Sequence, residues 1–250
     1  MELRDPSDFR FLAPLIIEKK EVASAIIDTG GGYEILLRNT YDLPVVDEVD
    51  VITFRGLERV RVVGPFNYAT GPVGVVSNGA IVGISTCDCN GLGFEFFRKT
   101  GLVLSLDFDA RQAAFLHAAP LGGVILPFAD PPEALKGFEA AFLRIVVDIN
   151  GQQMPTVALI DTGAQRTIMQ RDFAENIVTH QADVIELTLI QSELGGVRLQ
   201  AGLFENKALP DIIIGLDVMR VWGSQWYFDF KSESESFTIL PRPENTTPIR

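Results

Sequence analysis

The chain has 250 residues, nearly half of them apolar, and carries 33 acidic against 21 basic side chains, a net charge of −12. That balance argues against a nucleic-acid partner, since phosphate binding draws on clustered Lys and Arg, and no run approaches the ~20 apolar residues of a membrane span. Residues 1–10 mix charges of both signs without the apolar centre of a secretory signal, and Cys87 and Cys89 are the only cysteines, so a cytoplasmic protein without a disulfide framework is expected.

Taken in chain order, β-branched and aromatic runs predict strands at 15–17, 22–27, 34–37, 49–54, 60–63, 102–108 and 113–117. A stretch rich in breakers follows at 120–137, where Gly122, Gly123, Pro127, Pro131 and Pro132 interrupt regular structure, although Val124, Ile125 and Leu126 can pair as a strand between the halves. Further strands are predicted at 142–149, 157–160, 184–191, 197–203, 226–230 and 237–240. Asn150-Gly151 forms a tight hairpin turn between two of these runs. Helical periodicity is scarce, with short helices predicted only at 94–100, 131–135, 171–177 and 218–222. Trp222, Trp226 and Tyr227 fall where core aromatics belong. The reading is an all-β protein with an N-terminal unit at 1–120, a linker at 121–140, a C-terminal unit at 141–242 and a mobile tail at 243–250.

One triplet recurs, once per half. Asp28-Thr29-Gly30 ends the run Ser24-Ala25-Ile26-Ile27, and Asp161-Thr162-Gly163 ends the run Val157-Ala158-Leu159-Ile160. A lone triplet of this kind is a strand ending in a turn. The surroundings repeat as well. Ile213-Ile214-Gly215 ends 54 residues after Asp161, and Ile81-Val82-Gly83 ends 55 residues after Asp28. Gly93-Phe94-Glu95-Phe96-Phe97-Arg98 also aligns with Gly215-Leu216-Asp217-Val218-Met219-Arg220, in a register ten residues apart from the first. The apolar pair favours Gly83 as the counterpart of Gly215, with 84–93 as an insertion. Either way, a repeat of half the chain calls for two copies of one unit.

These motifs resemble the retropepsin-like and pepsin-like aspartic proteases, with two retropepsin-like halves fused in one chain. The match is most specific over Ala158-Leu159-Ile160-Asp161-Thr162-Gly163-Ala164 with Thr167, followed by Ile213-Ile214-Gly215 and a short helix. The resemblance implies a bilobed acid-protease fold of two β-barrel lobes and a catalytic dyad of Asp28 and Asp161 in the cleft between them. Thr29, Gly30, Thr162, Gly163, Ala164 and Thr167 would support the active-site loops. It also implies hydrolysis of a peptide or protein substrate by a monomer, through a water held between the carboxyls, without a metal or cofactor.

The first half departs from the family pattern. After Asp28 the chain reads Gly30-Gly31-Gly32-Tyr33-Glu34, with Gly31 at the Ala164 position and Glu34 at the Thr167 position. Three glycines either loosen the loop that holds Asp28 or make room for a substrate, and Glu34 is expected to point to solvent. Hairpins that could close over a substrate lie at 54–58, including Gly56, and at 192–197, including Leu194, Gly195 and Gly196. Cys87-Asp88-Cys89 reads as free thiols in a loop rather than a zinc site, since His117 and His180 are the only histidines. Two rivals stay open: a peptide-binding pseudo-protease whose first half has lost catalysis, and a protease active only as a dimer of chains using Asp161.

Overall fold

The structure, a computed structural model, describes residues 10–38, 43–53, 56–71, 73–77, 79–82, 89–174, 183–231 and 235–242. The readings made for Gly83, Cys87, His180 and the tail 243–250 lie outside these residues. Strands dominate the described chain. They form a nine-stranded sheet in the N-terminal half, a six-stranded closed barrel in the C-terminal half and a five-stranded sheet fed by both.

Each half begins with a hairpin. Leu12–Ile17 pairs with Lys20–Ile27, and Phe142–Ile149 pairs with Gln152–Ile160. The second hairpin turns at Asn150-Gly151, with φ of 55° and 85°, the doubly positive backbone that a two-residue loop needs to match strand twist. Burial alternates along Phe142–Ile149, sending Leu143, Ile145, Val147 and Ile149 into the core.

The second strand of each hairpin then gains a parallel neighbour that leads into a helix. Lys20–Ile27 lies beside Asn90–Leu92, which precedes α1 (Phe94–Thr100). Gln152–Ile160 lies beside Ile212–Ile214, which precedes α3 (Leu216–Trp222). A shorter helix, α2 (Arg171–Ala174), falls between them in sequence. Gly93 and Gly215 cap α1 and α3 with nearly identical backbone, φ −93° in both and ψ −176° and −175°.

These equivalences correct the register expected from sequence: Gly93, not Gly83, is the counterpart of Gly215. Ala80–Val82 runs parallel to Ile35–Leu37, as the end of Gly195–Phe204 runs parallel to Ile168–Gln170. The apolar pair before Gly83 therefore belongs to a different strand from the one beside the Asp-bearing strand. Close approach of backbone selects glycine at the helix start. A Cβ on Gly93 would meet the Tyr33 carbonyl oxygen at 2.0 Å, and one on Gly215 would meet the Arg166 backbone at 2.7 Å. The length difference lies instead in a hairpin of the first half, Val45–Thr53 with Gly56–Val63, which has no counterpart among the described residues. The hairpin Val184–Gln191 with Gly195–Phe204 corresponds to another part of the first half, since Val184–Gln191 pairs with Phe142–Ile149 as Phe66–Thr70 pairs with Leu12–Ile17.

The five-stranded sheet runs Gln112–Leu116, Val103–Asp107, Gly223–Asp229, Ser236–Pro241, Val124–Pro127. The strands that follow α1 and α3 thus pair with each other, Leu104 opposite Phe228. Aromatic packing crosses the same boundary. Phe97 of α1 stacks on Phe230 at 5.1 Å, and Phe94 meets Phe230 edge-on at 5.2 Å. Trp222, Trp226 and Tyr227 are buried, as core aromatics should be.

Two expected helices shrink. The one at 131–135 is a single 3-10 turn, Glu133–Leu135, set between Pro132 and the positive-φ Gly137. Of the one at 171–177, Arg171–Ala174 is helical and the rest lies outside the described residues. No helix among the described residues is long and apolar enough to cross a membrane.

Candidate functional site

The two Asp-Thr-Gly triplets meet. Each Asp leaves its strand through a matching hydrogen bond, Asp28 N–H to the Leu92 carbonyl at 2.9 Å and Asp161 N–H to the Ile214 carbonyl at 3.0 Å. Each loop is then tied to the helix that follows, Phe94 N–H to Gly31 O at 2.7 Å and Leu216 N–H to Ala164 O at 3.0 Å. The repeat read from sequence is therefore a repeat of hydrogen bonds, residue for residue.

Thr29 and Thr162 join the loops. The Thr29 hydroxyl donates to the Ile160 carbonyl at 2.8 Å and accepts the Thr162 N–H at 3.2 Å. The Thr162 hydroxyl donates to the Ile27 carbonyl at 2.7 Å and accepts the Thr29 N–H at 3.0 Å. Both threonines are fully buried, so these four bonds satisfy groups that water cannot reach.

The clasp leaves the carboxyls face to face. A Cβ on Gly163 would lie 2.8 Å from Asp28 Oδ1, and one on Gly30 would lie 2.5 Å from Asp161 Cγ, so each loop presses its glycine against the opposite aspartate. Asp161 Oδ1 accepts the Gly163 and Ala164 N–H groups at 2.7 and 3.1 Å. Its pKa is nevertheless raised well above the ordinary carboxylate range, first by burial, then by the Asp28 charge and a side-chain hydrogen bond with Asp28. Two carboxyls so placed can share one proton.

Around the pair opens a cavity of about 490 Å³ with a largely apolar wall that includes Leu36, Ile52, Phe138, Leu159, Leu209 and Ile213. Its roof is the hairpin Val45–Thr53 with Gly56–Val63: Ile52 and Thr53 line the cavity, and the Thr53 carbonyl accepts the Asn206 side-chain amide at 2.7 Å from the opposite half. Gly56 pairs with Thr53 in this hairpin. Leu194, Gly195 and Gly196 lie elsewhere. Leu194 packs on the core, and the Gly195 carbonyl accepts the Trp222 indole N–H at 3.2 Å. A larger cavity of about 660 Å³ lies beside Arg98, Lys99 and Lys231, but Lys99 pairs there with Glu34 and Arg98 with Glu139, and neither dyad aspartate lines it.

Support for the two loops differs between the halves. In the second, the Thr167 hydroxyl accepts the Gly215 N–H at 3.1 Å and donates to Asp217 at 2.7 Å. In the first, the Glu34 backbone carbonyl accepts the Gly93 N–H at 3.1 Å, which releases the side chain for other work. Contrary to expectation, Glu34 is buried and not turned to solvent. It accepts the Tyr68 hydroxyl and the Lys99 ammonium, both at 2.9 Å, and those partners meet the cost of burying its charge.

Two further residues of the site escaped the sequence reading. Tyr33 donates its hydroxyl to Asp28 Oδ2 at 2.5 Å. Cys89 lines the cavity and is disulfide-bonded, so it is not the free thiol expected. Spacing from Asp28 flagged position 33 only as part of a loose loop, and nothing local announces that its ring turns inward. Among the described residues no three His, Cys, Asp or Glu side chains gather as metal ligands would. Compared with known proteins, the chain matches no protein-family model and no curated protein at a significant level.

Proposed function

We propose that the protein is an aspartic-type endopeptidase whose two halves are the lobes of a bilobed acid-protease fold, with one active site made by Asp28 and Asp161. The observation that carries this reading is the pair of part-buried carboxyls, brought face to face by reciprocal threonine bonds beneath a hairpin and beside an apolar cavity. Both aspartates come from one chain, which favours a working monomer over a dimer that uses Asp161 alone.

The chemistry follows from the shared proton. Asp161 carries it, because burial and the neighbouring Asp28 raise its pKa, and Asp28 takes the part of the base. A water between them gives a proton to Asp28 as its oxygen attacks the peptide carbonyl, while Asp161 hydrogen-bonds to the carbonyl oxygen and stabilises the developing charge. Asp161 passes its proton to that oxygen to give the tetrahedral diol, which collapses as Asp28 hands its proton to the leaving nitrogen and a diol hydroxyl returns a proton to Asp161. An extended peptide fits the cavity between roof and dyad, with apolar side chains against Ile52, Leu209 and Ile213.

The test is cleavage of an unfolded protein substrate between about pH 3 and 7. Activity in the wild type that is lost in both Asp28→Asn and Asp161→Asn supports the reading. Activity that survives Asp28→Asn, or none in the wild type, overturns it.

A further inference from the structure

The two carboxyls are not treated alike by their surroundings. Asp161 receives two backbone N–H groups on Oδ1, whereas Asp28 receives the Tyr33 hydroxyl on Oδ2 at 2.5 Å. That distance lies in the range of an O–H donor on an ionised carboxylate.

The Tyr33 ring occupies a built slot. A Cβ on Gly31 would strike its Cε1 at 2.4 Å, one on Gly91 its hydroxyl at 2.5 Å, and one on Gly93 its Cδ2 at 2.7 Å. In the second half the residues at the first two of these positions are Ala164 and Ile213, and the residue matching Tyr33 is Arg166, which is exposed. The halves differ in a correlated way: where the ring turns inward, the side chains that would block it are missing. Gly31, read from sequence as part of a loose loop, thus makes room for a tyrosine.

We infer that Tyr33 is a positioning residue that breaks the symmetry of the dyad, holding Asp28 as the ionised base and leaving the shared proton to Asp161. This rests on the shared-proton dyad proposed above. A hydrogen bond to the charged form of a carboxyl favours that form, and Tyr33 can supply it throughout the working pH range. Burial first, and then the Asp28 charge, hold its own pKa well above the ordinary value, so the hydroxyl stays a donor.

The experiment reads the carboxyls directly and needs no turnover. Aspartate labelled with carbon-13 at the carboxyl is titrated by NMR in the wild type, in Tyr33→Phe and in Gly91→Ile, with Asp28→Asn and Asp161→Asn to assign the signals. In the wild type the two signals should titrate in separate steps, Asp161 in the upper. Tyr33→Phe keeps the ring and the slot filled, and should move the lower step up by about one pH unit, a tenfold change for one hydrogen bond to the charged form. Gly91→Ile should move it the same way by evicting the ring. An unmoved lower step in folded Tyr33→Phe, or in folded Gly91→Ile, overturns the inference. Two wild-type carboxyls that titrate together as ordinary, uncoupled groups would overturn the shared dyad and Tyr33's role alike. A split that responds to Tyr33→Phe in a protein that cleaves nothing would sink the peptidase reading and leave the Tyr33 assignment standing.

Discussion

Asn206 donates its side-chain amide to the Thr53 carbonyl at 2.7 Å, the end of a hairpin from one half bound to a loop of the other above the dyad. The Asn206 amide oxygen accepts the Ala208 N–H and its backbone N–H donates to Gln170, so the donor is held in place from its own side. Removing this one bond, worth about 1 kcal/mol net, should free the hairpin. Asn206→Ala is expected to speed hydrogen exchange across Gly56–Val63 and, under the endopeptidase reading, to raise KM for a peptide about three- to tenfold with a smaller change in kcat. An unchanged exchange rate would show that the bond does not hold the roof.

The threonine clasp makes a sharper prediction about stability. Thr162→Ala removes a hydroxyl that serves the Ile27 carbonyl and the Thr29 N–H, both buried. Each group left unsatisfied costs about 1–3 kcal/mol, so Tm should drop on the order of 5–10 °C. Thr162→Ser keeps the hydroxyl and should recover most of the loss. Thermal unfolding of the two variants side by side settles the point.

Stability and pH are linked through Asp161. Its folded pKa is raised, so between the unfolded carboxyl value of about 4 and that raised value the native state binds more protons than the unfolded one. The contribution of this group is therefore greatest at low pH and is lost as pH rises through the folded pKa. Denaturant titrations of wild type and Asp161→Asn should differ accordingly, with the asparagine variant losing less stability from pH 4 to pH 7. Under the endopeptidase reading, the alkaline limb of peptide cleavage should track the same deprotonation.

Glu34 gives a prediction outside the dyad. Its carboxylate is buried between Tyr68 and Lys99. Lys99→Met would leave a buried charge with one neutral partner. The expected loss is about 1–2 kcal/mol, less than for a fully buried pair because Lys99 is partly in water. Glu34→Gln in the same background should recover part of it, as measured by urea unfolding.

Much of this was legible in the chain because it rests on local chemistry. The Asp-Thr-Gly pair, the Asn150-Gly151 turn and the helix at Phe94–Thr100 are each set by neighbours in sequence. What escaped depends on distant partners. Asn90–Leu92, Ile168–Gln170 and Ile212–Ile214 are three-residue strands too short to show alternation, and pairing alone defines them. Glu34 reads as a surface acid until Tyr68 and Lys99 arrive from elsewhere in the chain. The register error at Gly83 has the same origin: an apolar pair followed by glycine says nothing about which strand it will lie beside.

The five-stranded sheet is completed by chain that lies downstream of both aspartates. Ser236–Pro241 sits between Gly223–Asp229 and Val124–Pro127, and Phe237 packs on Trp226 and Phe228 behind α3. A nascent chain that has exposed both aspartates still lacks the strand that binds the linker between the halves to the rest. Under the endopeptidase reading, the two halves that supply the aspartates are stitched together by strands that lie downstream of both.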